Sequence, residues 1–318
     1  MKKRLDVGVF MPFIIFMVIT LLAGVLTGGQ VFSPGNLMSI INQSVPYFLA
    51  GLGMIFVAAM GGTDITCGSL IGLSAAAGAY TALTFGTWLM FPAAMLVGAF
   101  VGLLNGIIIS KFKVPSFMCT LAMLLAIRAL VNWLLSSRVF LCSDEMLIFD
   151  ELGIKLAILV LLFVIFGFIF RFTPFGEYIR SIGENEQAME YTGISVSKVK
   201  ICAYMVSGLL AGIAGIFALV RLGGASNTMG SGVEMKVMLC MFLAGIPVSG
   251  GMGSRIYKLV IGVLTYFMLD NGLTLLGGNS NVNQLIRGIF LILALIITRI
   301  VVEKNEARNI KLAGAKEL

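Results

Sequence analysis

Long apolar stretches, each of about 20 residues, alternate with short polar breaks along almost the whole chain. Stretches of this length match helices that cross a hydrocarbon core of about 30 Å, whereas the strands of a barrel would alternate in polarity. The pattern predicts an all-α fold, a polytopic membrane helix bundle with about ten transmembrane helices. The predicted spans lie near residues 9–27, 45–60, 69–86, 89–110, 115–135, 154–171, 200–220, 236–249, 258–276 and 284–302.

The second and eighth predicted spans are short and end in glycine pairs. Residues 45–60 run into Gly61-Gly62, and residues 236–249 run into Gly250-Gly251. A broken or re-entrant helix is therefore the alternative to a full crossing at both places. Each pair is followed by a Gly-Ser step that opens the next span, which suggests an internal repeat.

Positive residues distinguish the two sides of the membrane, because lysine and arginine are enriched in cytoplasmic loops. With Lys2, Lys3 and Arg4 in the cytoplasm, ten spans put most of the 22 lysine and arginine residues on that side. Both termini are then cytoplasmic, and so is the longest polar segment, between spans six and seven. Arg128 lies within a span, and the positive residues left outside are Arg138, Lys155, Arg221, Lys236 and Arg287.

The composition agrees with a membrane protein, since 59% of the residues are hydrophobic, 12% are charged and the mean hydropathy is +1.03. An average soluble domain has about 25% charged residues. No polar block is long enough for a separate soluble domain, so residues 1–318 are predicted to form a single transmembrane domain. The net charge of +7 is scattered between apolar spans, which favours membrane lipid over nucleic acid as a partner.

Several kinds of chemistry are excluded by residue types that the chain lacks. It has no histidine, which removes Ser-His-Asp triads and HExxH zinc sites. It has no G-x-x-x-x-G-K-[ST] sequence, so it has no P-loop of its own. We expect no catalytic residue and no metal site. The cysteines lack CxxC spacing and fit small core residues; they are Cys67, Cys119, Cys142, Cys202 and Cys240.

One polar segment, Ser181–Ser195, stands between the sixth and seventh predicted spans. Ser181 and Glu184 have the spacing of a capping box, and Gly193 supplies a left-handed stop. These residues predict a helix of about ten residues, roughly 15 Å long, which is too short to cross a bilayer. The helix would lie on the cytoplasmic surface, where an isolated short helix needs a partner to be stable. The alternative is a solvated linker.

Glycines at four-residue spacing predict close packing between helices, because small residues let two backbones approach. Ordinary packing without a gating role is the simpler interpretation of these pairs. They are Gly98, Gly102 and Gly106 in one predicted span, Gly68 and Gly72 in another, and Gly208 and Gly212 in a third.

Asp64 stands at the start of the third predicted span, directly after a glycine-rich turn. A carboxylate at this position can cap the free N–H groups of the helix. In the second interpretation the turn is a hinge or gate near the cytoplasmic mouth, and Asp64 contacts an arginine or lysine of a neighbouring loop.

Polar residues inside the apolar spans are candidates for lining a polar path, since ionisable groups are costly there. Arg128 could pair with Asp270, which would cancel both charges. Alternatively, Arg128 extends toward the membrane surface and Asp270 lies near the outer interface. The candidate path residues are Asn105, Arg128, Asn132, Asp270 and Asn271.

Three segments carry the motifs of one known family, in family order over residues 45–295. Residues 183–194 (GENEQAMEYTGI) match G-x-N-x-x-A…G-I, and residues 61–69 (GGTDITCGS) match G-G-x-D-[LI]-S-x-G-S. The third match begins at Glu234 and continues through Gly245, Gly250-Gly251-Met252-Gly253 and Asn271-Gly272-Leu273. The chain thereby resembles the permease subunits of binding-protein-dependent ABC sugar importers of the ribose, xylose and galactose type.

The chain departs from the family pattern at a few positions. Thr66 and Cys67 replace a serine and a small aliphatic residue, Ala244 replaces a glycine, and Met235–Met241 is unusually rich in methionine. These departures bear on the identity of the solute, and they suit one half of a pair of non-identical permeases.

The resemblance implies an import function without covalent chemistry by this chain. Segment 181–195 would be the coupling helix that docks on an ATP-binding cassette ATPase, which would hold ATP and Mg²⁺, so this chain would bind no cofactor. The other implied partners are a periplasmic or lipid-anchored sugar-binding protein and a second permease chain, identical or paralogous, in a bacterial plasma (inner) membrane. The implied coupling residues are Glu184, Asn185, Glu186, Ala188 and Gly193, and the signature loop at the gate contains Gly61, Gly62, Asp64, Gly68 and Ser69.

An ion-coupled secondary transporter is the alternative function. It would need paired acidic residues near the middle of the membrane. Only Asp270 comes close to that requirement, and the polar segment between spans six and seven would then have no role.

Overall fold

The structure, a computed structural model, describes residues 7–136, 140–247, 249–277 and 281–296, without 291, 294 and 295. The predictions for Lys2, Lys3 and Arg4, for Arg138 and for the C-terminal residues 297–318 concern residues outside these ranges. The cytoplasmic position of both termini and the end of the tenth span therefore stay predictions.

Helices account for most of the described residues. Residues 281–290 are also helical, and short 3-10 turns cover Gln30–Phe32, Thr87–Leu89 and Ile148–Asp150. Two short strands, β1 (Phe140–Leu141) and β2 (Gly224–Ala225), pair antiparallel with Phe140 opposite Ala225. The helices are α1 (Val7–Leu26), α2 (Pro34–Ala58), α3 (Cys67–Phe85), α4 (Met90–Lys111), α5 (Ser116–Leu135), α6 (Asp144–Leu147), α7 (Leu152–Phe172), α8 (Pro174–Glu184), α9 (Glu186–Tyr191), α10 (Val196–Leu222), α11 (Val233–Leu243) and α12 (Ile256–Leu275).

Seven helices in the described part of the chain are long and apolar enough to cross a membrane: α2, α3, α4 with its preceding turn, α5, α7, α10 and α12. In α1, the shorter apolar stretch Met11–Leu26 adds to them. The all-α multi-pass fold is confirmed. The count of ten spans stays a prediction.

The second predicted span, residues 45–60, is too short at its start, because α2 begins at Pro34. The first turns of α2 contain polar residues that have partners inside the protein. The Asn42 carbonyl oxygen, for example, accepts a 2.6 Å hydrogen bond from the Lys155 ammonium, which also pairs with Asp150. A satisfied polar side chain does not end a buried helix.

The eighth predicted span, residues 236–249, is shorter than predicted. Its helix α11 has 11 residues and is followed by a turn at Ala244-Gly245. At about 1.5 Å per residue this helix is roughly 16 Å long, about half of the hydrocarbon thickness. The structure therefore favours the broken or re-entrant alternative at this position.

The described residues divide into two compact units. The first combines Met1–Ile41, Leu239–Ile246 and Tyr257–Leu318, and the second combines Asn42–Met238 and Pro247–Ile256. The prediction of a single domain stays a prediction.

The second unit is built on close contact between α4 and α10. A Cβ added at Gly98 or Gly102 would collide with the backbone of α10 at Gly208 or Tyr204, and one at Gly106 would lie 2.7 Å from Ile201 Cα. Close helix packing through these glycines is confirmed. Gly212 meets the α4 backbone at Ala94 in the same way.

The first unit contains α1, part of α11 and most of α12. Gly262 on α12 packs against the backbone of Cys240, and the Lys258 ammonium donates a 3.1 Å hydrogen bond to the carbonyl of Gly245. Farther along α12, Asp270 forms an ion pair with Arg287.

Candidate functional site

The segment between α7 and α10 consists of two helices, not one. α8 ends at Glu184, the extended residue Asn185 follows, and α9 covers Glu186–Tyr191. The predicted capping box is wrong, because Ser181 lies in the last turn of α8 and its carbonyl accepts the N–H of Asn185. The helix begins earlier because Pro174 at its first turn and the buried Ile179 and Ile182 anchor it.

Asn185 is the residue that starts α9. Its side-chain oxygen accepts a 2.9 Å hydrogen bond from the backbone N–H of Ala188, which is the usual role of asparagine at a helix start. Glu186 in the first turn suits the positive end of the helix dipole, and its carboxylate also accepts a 2.6 Å hydrogen bond from the Lys200 ammonium on α10.

α9 presents its side chains to the outside, and none of its residues is buried. Tyr191 is 92% exposed, which is high for an aromatic residue and leaves a large surface for a partner protein. The predicted glycine stop is confirmed, since Gly193 has φ +81° and directly follows the turn that ends α9. Apart from Gly193 and its chain neighbours, no described residue has an atom within 4 Å of the position that a Gly193 Cβ would take.

The end of α8 packs backbone to backbone against two glycine-rich turns. A Cβ at Gly183 would collide with the carbonyl of Ala59 and with the N–H of Gly251. The Glu184 carboxylate reaches the same turn, where it accepts a 2.7 Å hydrogen bond from the backbone N–H of Met252. The glutamate thus joins the end of α8 to the turn after α11.

The two glycine pairs named from the sequence contact each other. The N–H of Gly251 donates a 2.8 Å hydrogen bond to the carbonyl of Ala59. A Cβ at Gly61 would lie 2.8 Å from the carbonyl oxygen of Ser249, and Gly61, Gly250 and Gly251 all have positive φ angles. Only glycine combines this conformation with such a close approach. We call the segments 58–62, 183–184 and 249–252 the glycine junction.

A cavity of about 530 Å³ lies beside α9. Its walls come from α9, from the Gly61-Gly62 turn, from the loop between α4 and α5, and from the start of α10. Polar and charged side chains line it, including Lys113, Glu186, Glu190 and Lys200.

Among the described residues other than glycine, Lys113 alone has a positive φ, of 55°.

Asp64 is buried, with 1% of its surface exposed, and its partners are hydroxyl and backbone groups. One carboxylate oxygen accepts the N–H (3.0 Å) and the hydroxyl of Thr66, and the other accepts the Ser207 hydroxyl at 2.7 Å. Burial raises the pKa of the Asp64 carboxyl, while these hydrogen bonds act in the opposite direction. The predicted contact with a lysine or arginine is not among its described interactions, and the capping interpretation is closer to the observed geometry.

The rest of the signature loop is held by similar contacts. The Ser69 hydroxyl donates to the carbonyl of Thr66 at 3.0 Å, and the amide of Asn105 reaches the Thr66 hydroxyl at 3.3 Å. Asn105 is fully buried, so it supports this loop from the side of α4. Gly62 approaches the Tyr204 hydroxyl.

Arg128 and Asp270 belong to different compact units, and each has a partner within its own unit, so their pairing stays a prediction. The Arg128 guanidinium donates a 2.8 Å hydrogen bond to the carbonyl of Met229, and Asp270 pairs with Arg287. Asn132 lies one turn after Arg128 on α5 and is exposed, while the side-chain oxygen of Asn271 is buried without a hydrogen-bond partner. As path residues these side chains stay predictions.

Two interactions were not foreseen from the sequence. Glu184 was singled out as a surface residue for a partner, whereas it binds Met252 within the chain. Gly68 faces the start of α11 and the turn before it, because a Cβ there would collide with the Glu234 carboxylate and with the carbonyl of Gly230. The family motif had included Glu234 without assigning it a contact. Within the described residues, no group of His, Cys, Asp and Glu side chains could hold a metal ion.

Comparisons with known proteins agree with these features. A family model described as branched-chain amino acid transport system / permease component matches residues 36–295. The ribose import permease protein of Escherichia coli strain K12 is 31% identical over 277 residues, which cover 84% of this chain and 86% of that protein. No solved structure matches significantly.

Two further relatives carry other names. The L-arabinose ABC transporter permease protein of Azospirillum brasilense is 28% identical over 295 residues, 90% of this chain and 86% of that protein. The galactofuranose transporter permease protein of Escherichia coli strain K12 is 27% identical over 281 residues, 86% of this chain and 82% of that protein. Because the family model and these relatives cover most of the chain, it belongs to the family of ABC transporter permease components that they represent.

Proposed function

We propose that this chain is the membrane-spanning permease subunit of an importer in a bacterial plasma (inner) membrane, and that it takes up a pentose, a hexose or a related polyhydroxylated solute. A periplasmic or lipid-anchored binding protein delivers the solute, and a second permease chain, identical or paralogous, completes the path. ATP and Mg²⁺ bind to a separate ATPase. This chain conducts the solute and performs no covalent chemistry.

The single observation that carries this proposal is the glycine junction. It joins the end of α8, which leads through Asn185 into the exposed helix α9, to two turns. One turn contains Gly61-Gly62 at the start of the signature loop, and the other contains Gly250-Gly251. Glu186 attaches the start of α9 to Lys200 on α10 at 2.6 Å, and Glu184, two residues earlier, attaches to Met252 at 2.7 Å. A solvated linker has no need for such attachments. A segment that transmits the movement of a partner protein does need them.

The contacts suggest how a movement of the ATPase is transmitted. When the ATPase closes, α9 moves with the surface on which it docks, and α8 moves with it because only Asn185 separates the two helices. Gly183 then displaces the backbone at Ala59, and Glu184 displaces the turn at Met252. Ala59 is near the start of the loop that holds Asp64, so the push reaches the proposed gate through rigid backbone contacts.

The choice of a sugar as the solute rests on the relatives. Their names refer to ribose, L-arabinose and galactofuranose, which share several hydroxyl groups and carry no charge. The ion-coupled alternative has no support from the comparisons, and the one acidic residue that favoured it, Asp270, is paired with Arg287.

The test is transport by the reconstituted protein. The chain is purified with its candidate ATPase and placed in proteoliposomes, and uptake of radiolabelled D-ribose, L-arabinose and D-galactose is measured with a cognate binding protein. We expect uptake of at least one sugar that requires both ATP and the binding protein. Uptake driven by a sodium or proton gradient without ATP, together with failure to co-purify with an ATPase, would contradict the proposal.

A further inference from the structure

The segment between β2 and α11 runs along α3 from one end of that helix toward the other. At its start, Ala225 pairs with Phe140, whose ring packs at 6.1 Å against Tyr80 near the end of α3. A few residues later, the carbonyl of Met229 lies 3.0 Å from the position of a Gly72 Cβ. Gly230 then contacts the backbone of Gly68, the second residue of α3.

The distance that this segment covers along α3 follows from helix geometry. Tyr80 and Gly68 are separated by about 18 Å along α3, at about 1.5 Å per residue. α3 itself is long and apolar enough to cross a membrane. Residues 226–232 therefore enter the region of the spanning helices from the end of α3 near Tyr80 and reach the opposite end.

The residues of this segment are polar and not helical. Ser226, Asn227, Thr228 and Ser231 have exposed side chains, and the segment forms turns before α11 begins at Val233. Non-helical backbone at membrane depth is tolerated only where it is buried in protein or lines a water-filled cavity. Exposed hydroxyl and amide groups facing lipid would carry a large cost, which favours water over lipid around these side chains.

Neighbouring residues hold the segment in place and add polar groups at its deep end. The Arg128 guanidinium donates a 2.8 Å hydrogen bond to the carbonyl of Met229. Glu234 lies over Gly68, and its buried Oε2 atom has no hydrogen-bond partner among the residues that the structure describes. An unpaired buried acceptor is rare in folded proteins, and a donor from a bound molecule would satisfy it.

Asn132 extends this set of polar groups. It lies four residues after Arg128 on α5, so both side chains project from the same face of that helix, and Asn132 is exposed. The loop side chains, Arg128, Asn132 and Glu234 all belong to the second compact unit.

We propose that residues 226–232 form a re-entrant loop that lines the solute path, and that its side chains, together with Arg128 and Glu234, hydrogen-bond the hydroxyl groups of a sugar. Serine, threonine and asparagine both donate and accept hydrogen bonds, as sugar hydroxyls do. The sugar part rests on the proposed function, whereas the water-filled position of the loop does not.

The position of the loop is tested by the rate at which introduced thiols react. In the assembled importer, Cys142 and Cys202 are replaced by serine, which leaves the buried Cys67, Cys119 and Cys240. Single variants Ser226→Cys, Thr228→Cys and Ser231→Cys are treated with a membrane-impermeant cationic methanethiosulfonate. Because the reactive thiolate forms only in water, we expect all three to react at least about tenfold faster than apolar controls.

The matched controls are Leu161→Cys and Val164→Cys. These positions on α7 are 56% and 63% exposed, but they lie in the stretch between Lys155 and Arg171, which is entirely apolar. Equal rates at Ser231→Cys and Val164→Cys would overturn the proposal. So would fast reaction at Ser226→Cys alone, since the loop would then enter the membrane region only at its edge.

The sugar contact is tested in proteoliposomes with radiolabelled D-ribose, L-arabinose and D-galactose. We expect Asn227→Leu combined with Thr228→Val to reduce uptake by about tenfold, as the loss of two hydrogen bonds implies, in proteoliposomes that contain equal amounts of the assembled importer. Asn227→Gln with Thr228→Ser is the conservative control and retains most of the uptake. Unchanged uptake in the apolar variant would overturn the sugar contact.

The two proposals fail in different ways. If the wild-type importer takes up none of these sugars but the loop thiols react quickly, the sugar function and the sugar contact are wrong and the water-filled loop stands. If ATP-dependent uptake is normal but the loop thiols react as slowly as Val164→Cys, the function stands and the inference about the loop is wrong.

Discussion

The Glu184 carboxylate accepts a 2.7 Å hydrogen bond from the backbone N–H of Met252, although the two residues are 68 positions apart in the chain. We expect Glu184→Ala to uncouple ATP hydrolysis from uptake, because the end of α8 loses its attachment to the turn after α11. The lost hydrogen bond corresponds to about 0.5–1.5 kcal/mol. The measurement is the ratio of sugar uptake to ATPase activity in proteoliposomes.

Glu184→Gln is the matched control for this change, since the glutamine oxygen still accepts the Met252 N–H. It should restore most of the coupling, and both variants should still co-purify with the ATPase. Loss of co-purification in Glu184→Ala would mean that Glu184 belongs to the docking surface, which contradicts an internal role.

Gly193 ends the segment with φ +81° and has no neighbour within 4 Å of a Cβ position. Gly193→Val should therefore act only through the backbone, at about 1–2 kcal/mol for the left-handed conformation. We expect reduced uptake per ATP hydrolysed, with normal amounts of protein in the membrane. Gly193→Asn, which accepts this conformation more easily, should be close to wild type, and normal uptake by Gly193→Val would count against a coupling role for α9.

Gly102 and Gly167 lie in two different apolar helices, and their surroundings differ. A Cβ at Gly102 collides with the α10 backbone, whereas one at Gly167 lies 3.8 Å from the Ile256 side chain, an ordinary contact. Gly102→Ala should lower the stability by roughly 1–3 kcal/mol through overpacking, and Gly167→Ala should raise it by about 0.5–1 kcal/mol. Thermal unfolding in detergent measures both, and equal effects would contradict the close contact of α4 with α10.

Burial raises the pKa of the Asp64 carboxyl above the usual value of 3.8. The folded state thus favours the protonated form, so the stabilising effect is fully present below the usual pKa and is lost as the pH rises through the pKa of the folded state. Asp64→Asn lacks this titration. We expect the stability of the wild type, measured relative to Asp64→Asn by thermal unfolding, to fall with rising pH, and a constant difference would contradict the raised pKa.

Much of the fold follows from local patterns that one helix carries within itself. The spans α3, α4 and α5 begin and end within two residues of their predicted limits, because the length of an apolar stretch depends only on the membrane that it crosses. The close packing of α4 and α10 is also predictable from the sequence of each helix. A helix face that consists of glycines lets the backbone of another helix approach closely.

The candidate site was less predictable. The pattern at Ser181 and Glu184 fits a helix start, but Pro174, seven residues before Ser181, and the buried Ile179 and Ile182 decide where the helix lies. The polar start of α2 has the same cause. A polar side chain can be paired with any residue that the fold brings near, and sequence spacing does not contain that information.

The sequence by itself determined that this is a multi-pass membrane protein without histidine or P-loop chemistry, and that an exposed polar segment with a glycine stop separates two apolar spans. Those properties depend on composition and on short-range geometry. Only the tertiary structure decided that Glu184 joins this segment to Met252, that the two glycine pairs touch, and that residues 226–232 run beside α3. Contacts between residues far apart in the chain arise when separate helices pack, and that packing is a property of the whole fold.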